Sequence, residues 1–126
     1  MTPDEFPKVF AAAFATQDCS ALRALLVADA QVVTLTGAVA DDAAQAGKVF
    51  EQEFSGIFAA AKLVTGRTRM RELGPGLTIV QQRYVVMGAK DDAGAALPRF
   101  AAAVTAVLLE TAQGWLAVNL TLSHLT

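Results

Sequence analysis

From Phe6 onward, apolar residues recur at helical spacing as Phe6, Val9, Phe10, Ala13 and Phe14, which predicts an amphipathic helix with one greasy stripe. Thr2-Pro-Asp-Glu5 has the form of a helix start, and Pro7 moves the true start slightly later. Asp18 and Ser20 are candidate caps for a shorter second helix carrying Leu22, Leu25 and Leu26, expected to end near Ala28-Asp29. Val32 to Leu35 then switches to strand-forming residues, and Gly37 breaks the run. A third helix is expected after Asp42, which can cap it together with Gln45. Its stripe is Phe50, Phe54, Ile57, Phe58 and Ala61.

Beyond Lys62 the period changes. Lys62 to Leu73 and Leu77 to Met87 read as strands around a Gly74-Pro-Gly76 turn, and a looser connection containing Asp91-Asp92 follows. The last quarter, Leu97 to Thr126, is a hairpin signal: two β-rich segments joined by Thr111-Ala-Gln-Gly114. In its second segment Leu116, Val118, Leu120 and Leu122 alternate with Ala117, Asn119, Thr121 and Ser123. The first set should pack, and the small polar set is expected to line a ligand cavity. Helices followed by a four-stranded antiparallel meander give α+β order, in one domain spanning 1–126.

Composition adds one constraint. The chain is 54% hydrophobic but 17% charged, against about 25% charged for an average soluble domain. Such a surplus favours a homo-oligomeric interface, an apolar cavity, or both, although much of it is alanine. The charge-free run from Phe100 to Leu109 is too short to cross a bilayer, and the first residues have no basic n-region of a secretory signal. No membrane association and a cytoplasmic location are therefore expected. A net charge of −2 with scattered basic residues argues against nucleic acid as a partner.

Chemistry-bearing residues are sparse. His124 is the one histidine and the obvious acid/base candidate, yet strand alternation puts it on the Leu122 side, where an interface or terminal role fits better. Asp29 suits a helix-ending turn better than a base. Cys19, the one cysteine, stands at a helix start that could lower its thiol pKa, but no histidine is close in sequence to activate it. Arg67, Arg69 and Arg71 share a strand face, a solvated or dimer-rim face before it is an anion-binding wall. Tyr84 could equally place its hydroxyl in a cavity or pack. Gly74-Pro-Gly76 is a turn and not a phosphate loop, because no Lys-Ser/Thr and no helix follow. No histidine or cysteine cluster exists to hold a metal, and no cofactor is expected.

Several local sequences, in this order, resemble the nuclear transport factor 2-like superfamily, in particular its SnoaL-like and ketosteroid-isomerase-like bacterial branch. They are Phe14-Ala-Thr-Gln-Asp18, Leu25-Leu-Val-Ala-Asp-Ala30, Gly47-Lys48, Gly76-Leu-Thr-Ile-Val80, Thr105-Ala-Val-Leu108 and Gly114-Trp115. The resemblance implies a cone-shaped, strongly bent antiparallel sheet packed on three N-terminal helices, with a pocket at the wide end and a homodimer through the outer sheet face. It also implies positions for the steroid-isomerase groups. The oxyanion-donor tyrosine falls on Phe10, the base on Thr34 and the second acid near Ala103, none of which can move a proton, so that chemistry is not expected.

The candidate ligand-binding residues are accordingly Phe10, Phe14, Phe50, Phe54, Phe58 and Trp115 as apolar walls. Thr34, Thr105, Asn119 and Thr121 are the oriented polar groups, and Tyr84 joins them if its hydroxyl faces inward. The first functional reading is a small-molecule-binding domain with a mostly apolar pocket and no acid/base pair. The second is a SnoaL-like cyclase, isomerase or hydrolase acting on a polyketide- or terpenoid-like substrate. An assembly module would instead have a collapsed cavity, below about 300 Å³.

Overall fold

A computed structural model describes residues 1–125 of the chain; Thr126, the end of the expected hairpin, lies outside them. The elements run α1 (Phe6–Ala15), α2 (Cys19–Ala24), β1 (Leu26–Val33), β2 (Val39–Ala40), α3 (Ala43–Phe54), β3 (Lys62–Gly74), β4 (Leu77–Met87), β5 (Phe100–Thr111) and β6 (Gly114–Leu125). The strands form a six-stranded sheet in the order β2-β1-β6-β5-β4-β3. This is the expected α+β class. The sheet is open, with β2 and β3 as separate edges, and does not close into a barrel. It is antiparallel except that β1 runs parallel to β6, a pairing that no local pattern announces.

The helices start where capping chemistry allows. Asp18 accepts a hydrogen bond from the Ala21 amide at 3.0 Å and Asp42 from the Gln45 amide at 2.8 Å, each satisfying an amide that the first turn leaves unpaired. Pro7 does delay α1, which begins at Phe6 with no side-chain cap. Of its expected stripe Phe6, Phe10, Ala13 and Phe14 are buried, whereas Val9 is 37% exposed. Two boundaries differ from expectation. Strand β1 starts at Leu26, before Ala28-Asp29, and α3 stops at Phe54, leaving Ile57, Phe58 and Ala61 in the turns that follow.

Strand alternation sorts the sheet into two faces. Facing the helices are Val80, Gln82, Tyr84, Ala102, Val104, Leu120 and Leu122, all buried. Gln82 is the polar exception. Its amide donates to the Gly66 and Arg83 carbonyls at 3.0 and 2.7 Å and its carbonyl accepts from Thr68, so it satisfies the strand where the β3–β4 register shifts. Tyr84 spans the layers: its hydroxyl donates to the Pro7 carbonyl at 2.6 Å, tying β4 to the first turn of α1.

One close approach fixes the end of the sheet that matters for function. Gly88 has a φ of +82°, and a Cβ there would lie 2.5 Å from the Ala60 carbonyl oxygen. The segment after α3 is thereby held against the β4–β5 connection, and the Lys90 amide donates to the Ile57 carbonyl at 2.9 Å. Gly88→Ala meets both a left-handed backbone and a backbone clash. It is expected to destabilise by about 2 kcal/mol or more, which thermal unfolding would register as a drop of several degrees.

Tyr84→Phe gives a second, pH-resolved expectation. Near neutrality it should lose about 1 kcal/mol, the net worth of one buried hydrogen bond. Burial pushes the Tyr84 phenol well above its ordinary value, so the folded state holds this proton more tightly than the unfolded one. The stabilisation is therefore complete below the ordinary tyrosine value near 10 and is lost as pH rises above it. The wild type should lose about 1.4 kcal/mol per pH unit that the variant does not lose. Urea titrations of both proteins at about pH 8 and about pH 11 measure the difference.

Candidate functional site

Aromatic side chains fill most of the space between the helices and the sheet. Phe10 lies 5.8 Å from Phe6, 6.1 Å from Phe14 and 6.1 Å from Tyr84, centroid to centroid. Phe14 continues the run to Phe54 at 5.0 Å, edge-on, and to Phe58 at 5.5 Å, while Phe50 stacks on Phe54 at 6.1 Å. Such offset and edge-to-face contacts are how aromatic rings pack a core. Phe10, Phe14, Phe50 and Phe54, expected to wall a cavity, are parts of this packed run.

The filling stops at one end. Where β5 begins and β6 ends, a cavity of about 440 Å³ remains, and Phe58 is the member of the aromatic run that reaches it. The turn after β1 contributes Leu35 and Thr36, the coil after α3 contributes Ile57, and the residues entering β5 contribute Leu97, Pro98, Arg99 and Phe100. His124 near the end of β6 completes the wall, its ring 4.8 Å from that of Phe100. The histidine belongs there because it shares the inward face of Leu120 and Leu122. The lining is thus mostly apolar, with Thr36, Arg99 and His124 as its polar groups.

Beside this cavity is a polar cluster that sequence reasoning missed. Glu53 sits on the buried side of α3 and is 8% exposed. Its Oε2 accepts hydrogen bonds from the hydroxyls of Thr34 at 2.7 Å and Thr36 at 2.6 Å. The turn Thr34-Leu-Thr-Gly37 makes this possible: the Gly37 amide donates to the Thr34 carbonyl at 2.9 Å, and Gly37 takes the left-handed φ of +84° that closes the turn. The two hydroxyls lie 3.2 Å apart. A signal did exist. Ala46, Phe50, Glu53 and Ile57 fall on one helical row, and an acid on an apolar stripe is a buried-carboxylate candidate.

The remaining candidates lie elsewhere. Thr34 is 1% exposed and bonded to Glu53, so it is a support of the cluster. Tyr84 is committed to Pro7. Thr105, Asn119 and Thr121 are on the outer face of the sheet, with Thr105 opposite Thr121 and Val107 opposite Asn119; the Thr121 hydroxyl donates to the Asn119 side chain at 3.2 Å. The expected alternation holds only in the second half of β6, where the helices cover Leu120 and Leu122 and Asn119 and Thr121 turn outward; a register shift before it puts Ala117 inward and leaves Leu116 opposite the exposed Leu109. Trp115 opens β6 and packs against the core at the opposite end from His124. Ala103, the position of the second acid, also faces outward, and its inward neighbours Ala102 and Val104 cannot ionise.

Two further expectations resolve. Burial, with the nearby charges of Glu51 and Asp18, raises the Cys19 thiol above its ordinary value, the reverse of the lowered pKa a nucleophile needs. Arg67 and Arg69 border a smaller outer-face hollow of about 280 Å³ with Gln81, Arg83 and Thr105. Among the described residues no group of His, Cys, Asp and Glu could hold a metal ion, and no helix is long and apolar enough to cross a membrane.

No protein-family model matches the chain, and no curated protein matches it in sequence. Solved structures do match in shape. An uncharacterized protein with a cystatin-like fold from Caulobacter vibrioides superimposes with a TM-score of 0.84 at 15% identity, covering 94% of this chain and 84% of that one. A ketosteroid isomerase-like protein from Erwinia carotovora atroseptica gives 0.77 at 14% identity, covering 95% and 91%. A nuclear transport factor 2-like protein with a cystatin-like fold from Novosphingobium aromaticivorans gives 0.76 at 18% identity, covering 96% and 78%. The chain therefore has the cystatin-like α+β fold of the nuclear transport factor 2-like proteins.

Proposed function

We propose that this protein binds a small hydrophobic molecule in the cavity at the end of the sheet. The observation that carries the proposal is the cavity itself. It has about 440 Å³ of space walled by Leu35, Ile57, Phe58, Leu97, Pro98 and Phe100, beside an aromatic core to which Phe58 belongs. That volume lies in the range of small-molecule sites and above the roughly 300 Å³ below which an assembly module with a collapsed hollow would be favoured. Apolar walls supply affinity by removing ligand surface from water, and a few polar groups orient what enters.

A second reading, a SnoaL-like cyclase, isomerase or hydrolase acting on a polyketide- or terpenoid-like substrate, draws support from two titratable side chains. They are His124 on the cavity wall and Glu53 behind Thr36. The steroid-isomerase arrangement itself has no support, since Phe10, Thr34 and Ala103 stand where its proton-handling groups would be.

The protein is also proposed to be a homodimer through the outer sheet face. Ile79, Val85, Met87, Val107, Leu109 and Leu125 share that face and remain partly or fully exposed in the single chain. A solvent-facing antiparallel sheet normally puts polar residues there. Pairing by strand addition at β3 is disfavoured, because Lys62, Arg67, Arg69 and Arg71 guard that edge.

A thermal-shift screen of steroids, fatty acids and aromatic polyketides tests the first proposal. A true ligand at a hundredfold its Kd should stabilise by about 2.7 kcal/mol, several degrees in the unfolding midpoint. No shift from any compound would overturn it. For the dimer, sedimentation at micromolar concentration should give about twice 13.2 kDa, and Val85→Lys, on the outer face near the end of β4, should give a folded monomer.

A further inference from the structure

We infer that the cavity selects apolar ligands that carry a carboxylate, with Arg99 supplying the matching charge at its mouth and His124 a second donor. The inference rests on the cavity being the ligand site, as proposed above, and adds the charge of the ligand.

Charge on the cavity wall is one-sided. Its polar residues are Thr36, Arg99 and His124, and no acid is among the described residues that line it, in a chain with 12 acidic residues against 10 basic ones. Thr36 gives its hydroxyl proton to Glu53, so toward the cavity it can accept a hydrogen bond but brings no charge on which to select. The Glu53 carboxylate behind it is outside the lining and already holds two hydroxyl donors. Selection by charge therefore falls to Arg99 and His124.

Both groups are held in place by the sheet. The Leu97 amide donates to the Ala89 carbonyl at 2.9 Å and Phe100 pairs with Val86, so the short span that bears Arg99 is fixed at both ends. His124 stands opposite Ala102 on β5, its ring 4.8 Å from that of Phe100. Arg99 and His124 are also exposed, which puts them at the mouth, while Phe58, 1% exposed, forms the inner end. A ligand that buries an apolar body against Phe58 thus keeps its other end beside the two basic side chains.

A guanidinium stays charged at any physiological pH, and its fork of N–H groups matches the two oxygens of a carboxylate. An imidazole offers an N–H in either protonation state. A carboxylate at the mouth meets both donors and retains part of its hydration, so it avoids the cost of a deeply buried ion. An ammonium group in the same place meets the like charge of Arg99, and a neutral ester gains at most an uncharged hydrogen bond.

The test uses three probes of one shape, 2-naphthoate, its methyl ester and 2-naphthylmethylamine, titrated into the full chain at about pH 7.5, where the acid is ionised and the amine protonated. Calorimetry should show 2-naphthoate bound about fivefold or more tighter than the ester, as a partly exposed charged hydrogen bond implies, and the amine bound most weakly. Arg99→Gln, a change at an exposed position, should remove the preference for the acid and leave the affinity for the ester unchanged. A second readout needs no variant: the chain has one histidine, so the 15N signals of its imidazole are assigned without ambiguity, and 2-naphthoate should move them. Equal binding of acid and ester, a preference for the amine, or an acid preference that survives Arg99→Gln overturns the charge selection, and the cavity stands as the ligand site if the bound probes still move the His124 signals. If no probe binds, or none moves those signals, both readings fall.

Discussion

An uninterrupted run of aromatic contacts from α1 into α3 and the coil beyond decides what in this molecule is core and what is hollow. Phe6, Phe10 and Phe14 stand on successive turns of one helix and meet Phe54 and Phe58 from the other side, while the inward residues of β4, β5 and β6 close the third side. Large rings bury much surface each and leave few gaps between them. The apolar cavity lies where the run ends, at Phe58, and a site built there has a rigid floor. Everything lining the cavity beyond that floor comes from turns and strand ends, the parts of a fold that vary most freely.

The Glu53 cluster is placed by two independent local decisions. The cap at Asp42 sets the start of α3 and hence its rotation, which puts Glu53 on the buried side. Closure of the turn at Gly37 sets Thr34 and Thr36 side by side. Neither element by itself would keep a carboxylate from water; together they give it two donors. The pair also shows why a polar group can be tolerated at the rim of such an apolar interior: every fully buried side-chain oxygen and nitrogen among the described residues has a partner.

Much of the architecture could be read from the sequence because its signals are local. The stripe in α1, the Asp42 cap of α3 and the hairpin turn between β5 and β6 each lie within a few residues. The boundary between α2 and β1 failed because Leu25-Leu26-Val27-Ala28 suits either period, and the choice was made by the distant Ala117 amide, which donates to the Leu25 carbonyl at 2.7 Å. The site was harder still. Alternation in β6 separates two faces but cannot say which one the helices cover, so the sequence points Asn119 and Thr121 inward and gives His124 an interface or terminal place. Glu53 was visible only as one acid on an apolar row, and its two partners come from a turn whose closure depends on Gly37.

The parallel union of β1 with β6 has a consequence for how the chain matures. Gln31 finds its neighbour only once Asn119 exists, so a nascent polypeptide emerging from the ribosome carries a first strand flanked only by the two-residue β2 until β6 has been made. Such long-range pairing makes for slow assembly and a prolonged exposure of sticky backbone. Any truncation that removes β6 would leave β1 with β2 as its one neighbour, take the hairpin partner from β5 and open the cavity wall at once.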